Sequence, residues 1–146
     1  MKYYYKYEEF IEDVNILSKE IKNYNPDCLV AIARGGLTLV HFIGEKLNIR
    51  DVFTINSIHY EGDKKLDTFV IKNIPDLKNY KKVVLIDDIS DSGETLKEII
   101  DILKTEYSNI EIKTATIFYK KSSLVIPDFK IKEAKNWIVF FWENER

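Results

Sequence analysis

With 45% hydrophobic and 32% charged residues, the 146-residue chain has the apolar content of an ordinary globular protein and the length for a layered core. A net charge of −2 gives no electrostatic reason to expect nucleic acid or an anionic membrane as partner. Cys28 has no second thiol for a disulfide, and next to Leu29-Val30 it reads as a small core residue. No stretch approaches membrane-spanning length and Met1–Tyr7 lacks a signal-peptide core, so a single domain over 1–146, located in the cytoplasm, is expected.

In chain order, Tyr3, Tyr4, Tyr5 and Tyr7 suit an edge strand, a core contact or a partner surface, and the high aromatic content suggests a homo-oligomer. Phe10, Ile11, Val14, Leu17 and Ile21 recur at helical spacing, which predicts a helix over 8–23 ending near Asn25-Pro26. Cys28–Ile32 reads as a short buried strand that turns on Ala33-Arg34-Gly35-Gly36 into a helix through about Lys46. A strand entering a helix through glycines leaves helix-terminal N–H groups facing a ligand, and Arg34 adds a fixed positive charge. Taken alone, that turn is equally an ordinary tight connection. Val52–Ile58 is the next strand. The polar stretch 59–67, with Gly62, Lys64 and Lys65, reads as a loop leading to a second arm, Thr68–Ile71.

The most informative stretch is 83–96. Val83-Val84-Leu85-Ile86 is a buried strand that runs into Asp87-Asp88. Asp91-Ser92-Gly93-Glu94-Thr95 then opens a helix of about 93–106. Backbone N–H groups at such a turn converge on a phosphate, Gly93 permits close approach, and the Ser92 and Thr95 hydroxyls add donors. Asp91 sits where a proton can be exchanged. Asp87 and Asp88 suit vicinal sugar hydroxyls or Mg²⁺. An N-cap serine beside a solvated strand end would explain one acid and one cap, but not three carboxylates within a few residues of a Gly-flanked hydroxyl pair.

Ile110–Phe118 alternates and then turns apolar, which predicts one more strand with Lys120 just beyond its carboxyl end, where open α/β sheets gather ligands. The tail of about 134–146 concentrates Trp137, Phe140, Phe141 and Trp142, and a large flat side chain there is a platform for a base. The element order predicts an α/β fold with a mainly parallel sheet flanked by helices, a small flexible hood at about 59–67 and a short aromatic C-terminal segment.

Val83–Thr95 resembles the phosphoribosyl pyrophosphate (PRPP) signature of type I phosphoribosyltransferases. The likeness runs from Cys28 to Glu143 and is most similar to the purine enzymes for xanthine, guanine and hypoxanthine. It implies ribose binding or metal contact at Asp87 and Asp88, and a 5′-phosphate cradle at Asp91, Ser92, Gly93, Glu94 and Thr95. Pyrophosphate would lie at Arg34, Gly35 and Gly36, with Lys64 and Lys65 reaching it from a closing hood. Ser57-Ile58 stands where many relatives carry Ser-Tyr. Lys120, Trp137 and Ile138 would bind the base, and Asp88 and Glu143 would hold metal. The implied reaction joins a 6-oxopurine to PRPP with Mg²⁺, giving a nucleoside 5′-monophosphate and pyrophosphate, with Asp91 as the proton acceptor. A PRPP-binding regulator without transferase activity, or an enzyme for another base, is the alternative.

Overall fold

The structure, a computed structural model, describes residues 1–60 and 68–144. Its elements are β1 (Lys2–Tyr5), α1 (Tyr7–Tyr24), β2 (Cys28–Ala33), α2 (Leu37–Leu47), β3 (Val52–Tyr60), β4 (Thr68–Lys72) and β5 (Lys82–Ile86). They continue with β6 (Ile89–Ser90), α3 (Glu94–Glu106), β7 (Glu111–Ala115), β8 (Phe118–Tyr119), β9 (Lys132–Glu133) and β10 (Trp137–Phe140). The main sheet has the order β4-β3-β2-β5-β7. It is parallel throughout except for the β3–β4 hairpin.

Successive side chains point to opposite faces and both faces are covered, which is why Cys28–Ala33 and Val83–Ile86 are apolar throughout. Leu29 and Ala31 of β2, with Val84 and Ile86 of β5, enter the core beneath Phe10, Val14, Leu17 and Ile21 of α1 and Leu39, Val40 and Ile43 of α2. Cys28, Val30 and Ile32, with Val83 and Leu85, enter the opposite core against Leu96, Ile99 and Leu103 of α3. Cys28 is fully buried and its thiol is pushed up to about 12 by that burial, then by Asp27 and Asp51, which suits packing and not nucleophilic chemistry.

Two short parallel sheets extend this frame, β1-β10 and β6-β8-β9. They account for the main departures from the sequence reading. The expected strand Ile110–Phe118 is two strands, because the ladder ends when Asp87 donates to the Ala115 carbonyl. Ile117 and Phe118 then both donate to the Asp88 carbonyl, 3.1 Å each, which moves the chain into the second sheet. The N-terminal tyrosines form a strand whose partner is the tail: Lys2 stands opposite Trp137 and Tyr5 opposite Phe140. The hood boundary also shifts. His59 and Tyr60 belong to β3, and His59 stacks near Phe69 across the hairpin, while 61–67, with Lys64 and Lys65, lie outside the described residues. Among the described residues no helix is long and apolar enough to cross a membrane.

Candidate active site

From β2 the chain moves outward to β3 on one side and later returns to β5 on the other. The loops after β2 and β5 therefore diverge at the carboxyl edge of the sheet, where α/β folds open a ligand crevice. Arg34-Gly35-Gly36 follows β2, and Asp87-Asp88 follows β5.

The glycines are there because the two loops touch. A Cβ on Gly35 would stand 2.7 Å from Asp88 Oδ2, and one on Gly36 would collide with the Ile86 carbonyl while lying 3.2 Å from Asp87 Cα. The turn includes a cis Ala33–Arg34 peptide, and Gly36 donates to the Ile32 carbonyl at 2.8 Å. Arg34 is exposed and lines a cavity of ≈ 480 Å³ together with Gly35, Thr38, Asp88, Trp142 and Glu143. Thr38, in the first turn of α2, was not singled out from sequence. Its hydroxyl two residues after Arg-Gly-Gly was the available signal.

Asp87 and Asp88 are half-buried, and each has one carboxylate oxygen engaged by backbone. Asp88 N–H donates to Asp87 Oδ1 at 2.8 Å and Ile89 N–H to Asp88 Oδ1 at 2.7 Å. Burial raises both carboxyls above the ordinary range, and for Asp87 the neighbouring charge of Asp88 raises it further. Glu143 is likewise raised, by burial and then by Asp88. Asp88 and Glu143 line two cavities in common, so the structure brings together the two carboxylates that the sequence proposed for metal. Crowded carboxylates with raised affinity for protons are relieved by a cation. Among the described residues no group of three or more His, Cys, Asp or Glu side chains could hold one. The donor set fits Mg²⁺, which commonly takes one or two protein carboxylates and completes its shell with substrate oxygens and water.

Asp91–Thr95 wraps a hollow of ≈ 90 Å³, lined also by Asp87, Ile89, Ser90 and Leu96. A water needs roughly 10–15 Å³ of such space, so the hollow takes a group of a few oxygens and not a nucleotide. Gly93 caps α3 with φ +83°, a left-handed conformation that disfavours any side chain, and a Cβ there would also meet Ser123 Oγ and stand 2.7 Å from Leu124 N. The first N–H groups of α3 lack intrahelical acceptors and face this turn; Glu94 N–H makes a long 3.3 Å bond to Ser92 Oγ. Behind the loop, Leu124 donates to the Ser92 carbonyl at 2.8 Å, and the Ser90 hydroxyl reaches the Val125 carbonyl at 2.8 Å. Ser90 and Ser123 hydroxyls also meet at 2.7 Å. This bracing by 122–125 was not evident in the sequence.

A further cavity, ≈ 560 Å³, is in the size range of small-molecule sites, about 300–1,000 Å³. It is lined by Asp88 and Asp91 on one side and by Lys120, Trp137, Ile138 and Glu143 on the others. Lys120 Nζ lies 2.7 Å from Asp91 Oδ1. The Lys120 backbone is fixed by donation to the Ser90 carbonyl at 2.9 Å. Ile138 is buried, whereas Trp137 is 69% exposed at the rim, an unpacked flat surface. Ala134, Lys135 and Asn136 complete the wall. Those three were named only as part of the tail, since nothing in their types marks them.

Residues 2–145 match the family described as Phosphoribosyl transferase domain. A xanthine-guanine phosphoribosyltransferase of Cereibacter sphaeroides is 27% identical over 150 residues, covering 97% of this chain and 86% of its own. Among solved structures, the Helicobacter pylori xanthine-guanine-hypoxanthine phosphoribosyltransferase superposes with a TM-score of 0.90 at 34% identity, covering 98% of this chain and 94% of that one. A purine phosphoribosyltransferase from Pyrococcus horikoshii gives 0.88 at 30% identity, covering 99% and 95%. The signature after β5, the crevice at its carboxyl end and these likenesses agree: the chain belongs to the phosphoribosyltransferase family, type I.

Proposed function

We propose that the protein transfers the 5-phosphoribosyl group of PRPP to a 6-oxopurine, guanine, xanthine or hypoxanthine, releasing a nucleoside 5′-monophosphate and pyrophosphate. The observation that carries this reading is the Asp91–Lys120 pair, 2.7 Å apart on the wall of a cavity that also holds Trp137 and Ile138 and adjoins the 91–95 cradle. A protonated lysine donates to the 6-oxygen of such a base and a carboxylate accepts from a neighbouring ring N–H, so the pair is complementary to that edge. Trp137 stacks on the ring at a rim where its own packing is unfinished. Ile138 closes the cavity floor.

In this reading the cradle of Asp91, Ser92, Gly93, Glu94 and Thr95 anchors the 5′-phosphate, and Asp87 and Asp88 receive the ribose hydroxyls. Arg34, with the Gly35 and Gly36 backbone and Thr38, holds the leaving pyrophosphate and stabilises its growing charge. Lys64 extends the same role from the hood. Asp88 and Glu143 hold Mg²⁺, which when bound neutralises pyrophosphate charge. As the bond to pyrophosphate lengthens, the sugar carbon becomes cation-like, and the fixed phosphate keeps it in line with the base. Asp91 takes the proton of the ring N–H beside the 6-oxygen as the other imidazole nitrogen of the purine bonds the sugar carbon, and Lys120 holds the base oxygen while that proton leaves. A cytoplasmic homo-oligomer acting on small molecules completes the proposal; the exposed Tyr7 and Phe141 rings, edge-on at 5.7 Å, supply apolar surface for a second copy.

The test is pyrophosphate release from PRPP and Mg²⁺ with guanine, xanthine, hypoxanthine, adenine, orotate and uracil offered separately. Release with 6-oxopurines alone is expected. Release with none, while PRPP still raises the melting temperature, would replace this reading with a PRPP-binding regulator.

A further inference from the structure

The strand that carries Trp137 and Ile138 has an unusual support. Among the described residues, the only ladder partner of β10 is β1, from the other end of the chain, with Lys2 opposite Trp137 and Tyr3 opposite Ile138. Among the described residues β1 joins no other sheet. Its two inward side chains, Tyr3 and Tyr5, end instead in carboxylates of α1. The Tyr5 hydroxyl donates to Asp13 Oδ2 at 2.5 Å, and the Tyr3 hydroxyl donates to Glu9 at 2.5 and 2.7 Å.

Those carboxylates are gathered by one cation. Lys132 Nζ lies 2.5 Å from Glu9 Oε1 and 3.1 Å from Asp13 Oδ2, and its ammonium sits 5.4 Å from the Tyr5 ring centre. Asp13 and Tyr5 are buried, so the arrangement is poorly screened by solvent. Burial works against charge on Glu9 and on Lys132, yet the Lys132 and Tyr3 bonds bring Glu9 below the ordinary range, and Glu9 and Asp13 hold Lys132 above its own. The Lys132 backbone is itself anchored, donating to the Ile117 carbonyl at 2.9 Å in the β8–β9 pairing.

The connections close a circuit. β9 fixes Lys132, Lys132 fixes Glu9 and Asp13, these fix Tyr3 and Tyr5, and the tyrosine strand fixes the backbone of Trp137 and Ile138. Both flanks of 134–136, the cavity wall between β9 and β10, are set by it. None of the hydrogen bonds and ion pairs that make the circuit involves a residue of the 91–95 cradle or Arg34. We infer that Lys132 is a positioning residue for the base half of the site, acting through Glu9, Asp13 and the β1 tyrosines, and that it tunes affinity for the purine without affecting PRPP. The inference rests on the base-binding role proposed for Trp137 and Ile138.

The experiment measures KM for the 6-oxopurine and for PRPP, with kcat and melting temperature, in Lys132→Met, Lys132→Arg, the double variant Tyr3→Phe/Tyr5→Phe, and Trp137→Ala. Lys132→Met is expected to raise the base KM about tenfold with the PRPP KM within about twofold, and Lys132→Arg to restore most of it. The double phenylalanine variant keeps the rings and removes only the hydroxyls, so it gives the same split if Lys132→Met does not fold. A lower melting temperature with an unchanged base KM, or equal losses for both substrates, would overturn the inference and leave Lys132 a purely structural ion pair. Trp137→Ala separates the two levels. If it raises the base KM while the Lys132 and tyrosine variants do not, the positioning role alone falls. If Trp137→Ala has no effect, the base site is misplaced and the inference falls with it.

Discussion

The two halves of the crevice are built differently. The half proposed for PRPP is made of two loops, 34–36 and 87–95, that continue directly from β2 and β5, neighbours inside the main sheet. Both loops start directly after a largely buried strand, and in the proposed reading their backbone is itself a binding group. The half proposed for the base is assembled from Lys120 and 134–138, carried by two small sheets, with β1 brought from the opposite end of the chain. Anchoring a common phosphorylated sugar calls for rigid backbone geometry. Selecting a base calls for side chains on a separately adjustable wall.

This contrast is sharpest at Asp91, where the halves meet. Asp91→Asn keeps the shape of the cradle but cannot accept a proton. It is expected to lower kcat by about 10²–10⁴ while PRPP affinity changes little, measured by steady-state kinetics and by PRPP titration. Equal losses in both would reduce Asp91 to a cradle residue. Trp137→Ala is the matching change in the base half. Loss of stacking of about 1–3 kcal/mol would raise the base KM by roughly 5–150-fold, with the melting temperature unchanged because the ring is mostly exposed.

Gly36→Ala probes the opposite dependence. Its Cβ has no room against the Ile86 carbonyl, so a backbone shift costing about 1–3 kcal/mol is expected. That corresponds to a melting-temperature drop of very roughly 2–12 °C. PRPP binding should weaken with it, since the same shift displaces the loop that carries Arg34, while the base wall stays intact. A change in base affinity alone would break the division between the halves.

The smallest expected effect is on stability at Asp88. Its carboxyl is raised by burial, so the folded protein holds that proton more tightly than the unfolded chain does. The protonated group favours folding below the unfolded carboxylate range of about 4, and that contribution is lost as pH rises through the raised folded value. Asp88→Asn keeps an acceptor for Ile89 N–H and abolishes the ionisation. It is expected to melt about 2–4 °C higher than the parent at neutral pH, with the gap closing on acidification, while Mg²⁺-dependent turnover falls. Thermal melts from pH 4 to 8 check this; a gap independent of pH would remove burial of the charge as its cause.

Much of this is legible in the amino-acid sequence. The helices, the strands before both loops, and the βα phosphate turn followed from apolar period and from glycine placement, and they stand within one or two residues of expectation. Asp87, Asp88 and Asp91–Thr95 were found together because they are consecutive, so local sequence states their geometry. The break of the expected 110–118 strand was not legible. It depends on which carbonyl Ile117 and Phe118 find, and that carbonyl belongs to Asp88. Lys120 followed from its place beyond a strand, Trp137 from its flat ring and Ile138 from the resemblance, but their meeting with Asp91 required the structure.

By itself the sequence determined the layered core and the strand-loop-helix units that carry 34–36 and 87–95, the residues proposed for phosphate. These rest on periodicity and turn chemistry, which act between neighbours along the chain. Tertiary structure alone decided that Lys2–Tyr5 would support Trp137–Phe140, that Lys132 would bind Glu9 and Asp13, and that Lys120 would face Asp91. A strand edge accepts any partner with free backbone groups, and a lysine any carboxylate within reach. Only the packed fold selects among them.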